Sequence, residues 1–172
     1  MSEAATHVTI ARARAGVGTP PAPRADEASV RSALAEVMDP ELPMVSIVDL
    51  GMVGDVAVSP DAIDVEILPT FIGCPALALI AAAVSERLGA FGRRVRVTSP
   101  FAPPWTSDRI TPTGRAALAA AGIAPPSPAG DVQCPLCGSG RVVMDNLFGP
   151  TQCRSLYYCR ECRQPFEAIK PI

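Results

Sequence analysis

The chain has 172 residues, with 15 basic and 17 acidic side chains, a formal net charge of -2 and a pI near 5.4. This length allows one ordinary domain and a small module, and the near-neutral charge argues against nucleic acid as the main partner. Pro69, Gly73 and Pro75 interrupt the charge-free run at 67–85, which excludes a membrane-spanning helix there and predicts no membrane partner.

Residues 1–25 are rich in Ala, Arg, Pro and Gly and lack a sustained apolar period, which predicts a disordered tail. The tail has no apolar segment of the secretory type, so we expect a cytoplasmic protein. A first helix is predicted from Asp26 to Met38, because Asp26 or Ser29 can cap it and apolar residues recur at helical spacing. The helix must end before Asp39-Pro40, since the residue before a proline is disfavoured in the helical region.

The segment from Asp39 to Gly51 is predicted to be a loop with two prolines and three carboxylates, those of Asp39, Glu41 and Asp49. A solvated turn would explain any one of these acids. Three acids in a rigid loop would also suit metal ligands, or groups that support such ligands. The residues alone leave both interpretations open.

Three strands and a second helix are predicted next. Segments 52–58 and 63–68 are joined by a turn-rich link, as in a β-hairpin, and 94–98 alternates as a third strand of the same sheet. Residues 76–88 are rich in Ala and Leu, follow Pro75 and precede Gly89, which predicts a helix. The predicted fold class is therefore α+β, with helices on one side of a small mixed sheet.

Cys74 lies where an apolar strand should end and this second helix should begin. A thiol in that position faces unpaired N–H groups and the positive end of the helix dipole, so we expect its thiolate to be favoured. A thiolate can bind metal or act as a nucleophile. The alternative is that Cys74 is a small buried apolar residue.

Residues 100–130 are predicted to form a Pro-rich extension that contains a short helix from Thr111 to Ala121 and a semi-rigid linker. Trp105 lies in its irregular first part. We interpret it as an anchor that packs the extension onto the domain, with contact to a partner as the alternative.

The last segment, 131–172, contains two Cys-x-x-Cys pairs separated by the 21 residues 138–158. Two such turns can supply a tetrahedral sulfur cage for zinc or iron. A module of this size has too little core to fold alone, so we predict a metal-held zinc ribbon with structural zinc. The predicted ligands are Cys134, Cys137, Cys159 and Cys162.

Two further residues of this module, Cys153 and Arg163, bear on how the cage is interpreted. Cys153 belongs to neither pair, so it is either a buried residue of the ribbon or an extra thiol near the cage. The first pair would also suit a rubredoxin, whereas Arg163 stands after the second pair where a rubredoxin has glycine.

Several stretches together resemble known families. The segments 39–43 and 46–51 resemble the signature loop of a family of small iron–sulfur assembly proteins, and Thr70-Phe71-Ile72-Gly73-Cys74-Pro75 resembles its cysteine motif. The segment 103–108 and the ribbon are similar to the D-subunit family of bacterial phenylacetyl-CoA epoxidase systems. The resemblance covers about residues 28–170 and implies an assembly domain at 26–99.

The resemblance implies an accessory protein rather than an enzyme. It would assist the insertion of iron or an iron–sulfur cluster into the oxygenase or reductase component of the epoxidase system, which are its implied partners. Cys74 would bind iron or a cluster transiently, with Asp39 and Glu41 as the acids of the signature loop, and Cys153 matches a cysteine of this family. Because one cysteine cannot fill a coordination shell, we expect a second ligand from Asp39, Glu41 or the Cys74 of a second copy in a homodimer.

Three other functions are alternatives to that of an assembly factor. A rubredoxin-like electron carrier would hold iron in the four-cysteine site. A nucleic-acid-binding ribbon would need a basic face. The three arginines Arg154, Arg160 and Arg163 are too few to form one. An enzyme with Cys74 as nucleophile would need a base, and the only histidine, His7, lies in the predicted tail.

Overall fold

The computed structural model describes residues 25–100, 102–127 and 130–172, so the predicted tail lies outside the described residues except for Ala25. The described part contains three α-helices, nine strands and one short 3₁₀ turn at Ser107–Arg109. The helices are α1 (Glu27–Leu34), α2 (Leu77–Gly89) and α3 (Pro112–Ala120). The strands are β1 (Met38–Asp39), β2 (Leu42–Ser46), β3 (Val53–Val58), β4 (Ala62–Ile67), β5 (Arg94–Thr98), β6 (Ile123–Ala124), β7 (Val142–Asn146), β8 (Arg154–Cys159) and β9 (Pro165–Ile169).

Helix α1 begins as predicted, with a reciprocal capping box between Asp26 and Ser29. It ends at Leu34, however, so the predicted extension to Met38 is wrong. The reason is a competing ladder: the Ile47 N–H donates to the Val37 carbonyl, and Met38 pairs with Ser46 of β2.

The predicted loop at 39–51 contains a strand, which corrects that prediction. Strands β1 and β2 form an antiparallel hairpin in which Asp39 pairs with Leu42. Pro40 and Glu41 form its turn, and proline suits the first central position of such a turn because its φ is already set. The hairpin thus carries the Asp-Pro-Glu sequence at its tip.

The main sheet has the order β3-β4-β5, with β3 antiparallel and β5 parallel to β4. Ile63, Val65 and Ile67 point from β4 into the core, whereas Asp64 and Glu66 lie on the other face. Helices α1 and α2 contact each other and this sheet, and both contribute buried residues to the same core. The α+β prediction, with helices on one side of a mixed sheet, is confirmed.

The extension packs into that core. Trp105 is 3 % exposed and its indole Nε1 donates to the Leu50 carbonyl at 2.8 Å, so it is the predicted anchor. Ile110, just before α3, and Leu118 of α3 are buried in the same cluster. The extension therefore covers the signature loop from outside.

The ribbon is a four-stranded sheet in the order β6-β9-β8-β7. Strand β6 lies in the extension predicted at 100–130, whereas β7, β8 and β9 lie in the segment that carries the two Cys-x-x-Cys pairs. Ile123 of β6 and Ile169 of β9 are buried in the core of the first domain, so the two parts share packing. Within the described residues, no helix is long and apolar enough to cross a membrane.

Candidate functional site

The tip of the β1–β2 hairpin positions two carboxylates. Asp39 Oδ1 accepts hydrogen bonds from the Glu41 N–H at 2.8 Å and the Leu42 N–H at 2.9 Å, which rigidifies the turn. Asp39 is 6 % exposed, and burial raises the pKa of its carboxyl despite these two bonds and the nearby charge of Arg154. A buried acid with a raised pKa is costly to keep ionised, which is typical of functional sites.

The third acid of the loop, Asp49, does not join them. Its Oδ2 accepts from the Ser46 hydroxyl at 2.9 Å and its Oδ1 from the Thr111 hydroxyl at 2.7 Å. Thr111 caps α3 by accepting from the Gly114 N–H at 3.0 Å. Asp49 therefore holds the extension against the signature loop.

Cys74 precedes α2, which begins at Leu77 with Ala76 as its N-cap and no capping side chain. Burial of the sulfur raises the pKa of the Cys74 thiol, the charges at Glu41, Asp39 and Cys153 raise it further, and only the Ala76 N–H lowers it. The expectation that the helix start favours the thiolate is thus wrong for this environment. The thiol must lose its proton when a cation binds.

The structure brings these groups together with a cysteine from the ribbon. One cleft is lined by Asp39, Glu41, Cys74 and Cys153, and its cavity volume is about 10 Å³, close to that of a single water molecule. The apolar part of its wall is formed by Leu42, Leu50, Trp105, Ile110 and Ile169. Cys153 lines this cleft and is not one of the four clustered cage sulfurs, and its role as an extra thiol near the cage stays a prediction.

Two residues that affect this cleft were not predicted as site residues. Thr70 lines it from the cysteine motif, and Arg154 lowers the pKa of Asp39 by its charge. Arg154 is 9 % exposed and ion-paired with Glu167 at 2.6 Å. A lone arginine in a strand gives no sequence signal for this position, because the pairing of β8 with β9 determines it.

Cys74 also faces a second, open depression. That depression has a volume of about 430 Å³ and runs along Pro75, Leu77 and Ala78 at the start of α2 and the end of β5. The side chain of Cys74 can therefore reach both the closed cleft and the surface. This position allows a bound ion to be approached from outside.

The four cysteines of the two Cys-x-x-Cys pairs form a cluster whose sulfur atoms all lie within 4.8 Å of one another. The Cys134 and Cys162 sulfurs are 3.7 Å apart, and those of Cys137 and Cys159 are 3.6 Å apart. A tetrahedral site with metal–sulfur bonds near 2.3 Å has sulfur–sulfur edges of about 3.8 Å. The cluster therefore fits a four-coordinate metal ion and is too wide for disulfides, whose bonds are near 2.05 Å.

The two metal-binding turns have similar backbone geometry. Gly138, after the first pair, has φ of +74°, and Arg163, after the second, has φ of +59°, a conformation that residues other than glycine rarely adopt. Arg163 thus adopts the left-handed φ that Gly138 adopts in the first turn. Burial and the neighbouring sulfurs raise the pKa of Cys162 to about 12, so the four sulfurs ionise together only around a cation.

The ribbon exposes few of the basic side chains that binding to nucleic acid would require. Arg154 is buried and ion-paired with Glu167, and Arg141 pairs with Glu161 at 2.7 Å. Of the three arginines considered above, only Arg160 and Arg163 are exposed. Two dispersed cations are a weak basis for binding a polyanion.

Two family models match the chain. The model described as "Iron-sulfur cluster assembly protein" matches residues 27–99, and "PaaD zinc beta ribbon domain" matches residues 121–170. A solved DUF59 domain from Bacillus anthracis is 31 % identical with a TM-score of 0.50, covering 54 % of this chain and 90 % of that one. The fold and the sites thus define an iron–sulfur assembly-type domain joined to a zinc ribbon.

A curated protein from Escherichia coli (strain K12), named as the D component of a "Putative 1,2-phenylacetyl-CoA epoxidase", is 36 % identical over 147 residues. The match covers 81 % of this chain and 89 % of that protein. The chain therefore belongs to the D-subunit family of phenylacetyl-CoA epoxidase.

Proposed function

We propose that this protein is a non-catalytic maturation factor of the phenylacetyl-CoA epoxidase system. It assists the insertion of iron, or of an iron–sulfur cluster, into the oxygenase or reductase component, and these components are its partners. The observation that carries the proposal is the position of Cys74. Its side chain lines a closed cleft together with two carboxylates, and it also borders an open depression.

The chemistry of this cleft suits exchange of a bound ion better than turnover of an organic substrate. Its cavity volume of about 10 Å³ leaves no room for an organic molecule. Closely spaced carboxylates and thiolates repel one another. A bound cation offsets this repulsion and so stabilises their ionised forms. Transfer then proceeds by ligand exchange: a client group that enters from the open side of Cys74 replaces the thiolate, and a more complete ligand set draws the ion away.

We further propose that the four-cysteine cage holds structural zinc. Cys134 and Cys159 are buried at 1 % and 0 % exposure. Among the described residues, the separate hydrophobic cluster of the ribbon is small, with Ala124, Phe166 and Ala168 as its other buried members. A metal site of this kind supplies the folding free energy that such a core lacks.

Growth on phenylacetate tests the transfer role. A strain that lacks its own D component would be complemented with the parent chain or with Cys74→Ala. We expect Cys74→Ala to lower the growth rate at least about tenfold, because the cleft without this thiolate binds iron too weakly to hold it.

The matched control is Ser85→Ala on the exposed face of α2, whose hydroxyl bonds to the Ala81 carbonyl one turn earlier. It should grow like the parent. Equal growth of Cys74→Ala and the parent, at equal protein levels, would contradict the proposed role of Cys74.

A further inference from the structure

Four side chains of metal-binding type line the same cleft, although they come from three separate segments of the chain. Asp39 and Glu41 lie at the tip of the β1–β2 hairpin, Cys74 precedes α2, and Cys153 precedes β8 of the ribbon. The ribbon therefore supplies a thiol to the assembly domain, in addition to the four sulfurs of its own cage.

Cys153 is held in place by its surroundings. Its carbonyl accepts from the Lys170 N–H at 2.9 Å, and its sulfur lies 3.2 Å from the Thr151 hydroxyl. The Lys170 ammonium group donates to the preceding Gln152 carbonyl at 2.7 Å. The loop 148–152 also faces Glu41 and Pro75 across a depression of about 250 Å³, so this part of the ribbon sits against both functional loops.

Asp39 lines the same cleft with part of its bonding capacity unused. Within the described residues, both hydrogen bonds to its carboxylate are accepted by Oδ1, which leaves Oδ2 for a ligand. The residue is only 6 % exposed, so its contact with water is small. An ionised carboxylate in such a position is costly unless a cation or donor reaches it.

We propose that Cys74 and Cys153, with Asp39 and Glu41, bind a single ferrous ion within one chain. This inference rests on the proposed function and identifies its cargo. Two thiolates and two carboxylates form a mixed sulfur and oxygen set that suits a borderline divalent ion such as Fe²⁺. Cys153 is then the second thiol that completes the shell, so no second copy of the chain is required.

The size of the cleft favours one ion over a cluster. Its volume of about 10 Å³ corresponds to one water-sized occupant, whereas a cluster has several atoms. In the described residues, only the four cage cysteines have ligand atoms that all lie within 4.8 Å. The four groups of this cleft lie farther apart than the cage sulfurs, so binding one ion requires their side chains to rotate towards it.

Anaerobic titration of the zinc-containing full chain with Co²⁺ tests the ligand set, because thiolate-to-cobalt absorption grows with the number of bound thiolates. We expect the parent to bind one Co²⁺ per chain without zinc release. Cys153→Ser should lower this absorption per bound ion about twofold and weaken binding at least about tenfold. Ser85→Ala on the exposed face of α2, whose hydroxyl bonds to the Ala81 carbonyl, should titrate like the parent.

The two proposals fail differently in this experiment. If Cys153→Ser binds Co²⁺ with unchanged affinity and absorption, the role of Cys153 as a ligand is overturned. If Cys74→Ala loses Co²⁺ binding in the same experiment, the proposed function still stands. Cys74→Ala that titrates like the parent would contradict both. A complex with two chains per Co²⁺ would also overturn the intramolecular site.

Alkylation of the parent chain gives a second readout that needs no variant. With Co²⁺ bound, both Cys74 and Cys153 should react at least about tenfold more slowly with iodoacetamide, as measured by peptide mass spectrometry, because a metal-bound thiolate is a poorer nucleophile than a free one. Protection of Cys74 alone would overturn the two-thiol site.

Discussion

Asp39 is the residue at which stability and function oppose each other. Its carboxyl is buried beside a cleft that already contains Glu41 and two thiols, and burial raises its pKa above 3.8. The folded state therefore holds a proton on Asp39 more readily than the unfolded state does. This contribution to stability is fully present below pH 3.8 and is lost as the pH rises through the folded pKa.

Asp39→Asn should thus unfold at a higher temperature than the parent at neutral pH and still fail to take up iron. The amide oxygen can accept the same two N–H bonds, while the buried negative charge is gone. The gain in melting temperature should shrink as the pH falls towards the range in which Asp39 itself is protonated. Thermal unfolding from neutral to mildly acidic pH, followed by circular dichroism, measures this.

The exposed Asp55 on β3 provides the control. Asp55→Asn should change the free energy of unfolding by less than about 0.5 kcal/mol at every pH. If Asp39→Asn were less stable than the parent at neutral pH, the ionised Asp39 would be stabilising and the account of its burial would be wrong.

The site residues were only partly predictable from the sequence. Cys74, Asp39 and Glu41 belong to local motifs, and the structure places them in one cleft. The position of Cys153 was not predictable, because it depends on the pairing of β8 with β9 and on the contact with Lys170. The direction of the Cys74 pKa shift also depends on burial, which the helix-start pattern does not contain.

At the scale of elements, helix α3 is pressed against the signature loop. The Thr111 N–H donates to the Asp49 carbonyl at 2.9 Å. A Cβ added to Gly114 would lie only 2.4 Å from that same carbonyl oxygen. The arrangement requires a residue without a side chain at position 114.

Gly114→Ala should therefore lower the free energy of unfolding by about 1–3 kcal/mol, the usual cost of overpacking. Gly89→Ala, at the last residue of α2, meets no atom within 4 Å and should be neutral or stabilise by up to about 1 kcal/mol. Urea denaturation of the two variants compares them directly. Equal stability of both would show that the contact between α3 and the signature loop can relax.

Elements with a strong local period were predictable, and very short strands that depend on a pairing partner were not. Helix α2 and strands β3, β4 and β5 follow from apolar periodicity and from their stop signals. Strands β1 and β6 have two residues each, too few to show a period. Strand β1 exists because its hairpin neighbour β2 pairs with it, and β6 exists because the distant β9 completes its backbone hydrogen bonds.

At the scale of the whole molecule, the ribbon and the assembly domain depend on each other. Ile123 and Ile169 from the ribbon sheet are buried in the core of the assembly domain, and Cys153 from the ribbon lines its cleft. Loss of the cage should therefore affect the transfer site as well. The division into a tail, an assembly domain, an extension and a ribbon stays a prediction.

The most direct test is the content of zinc, iron and acid-labile sulfide per chain in anaerobically purified protein supplied with Fe²⁺. The parent should hold one zinc and one iron without sulfide, and Cys74→Ala should keep the zinc and lose the iron. Cys137→Ser should lose both, because the ribbon no longer holds Cys153 at the cleft. Iron in the four-cysteine cage that is unchanged by Cys74→Ala would contradict the account and support a rubredoxin-like electron carrier.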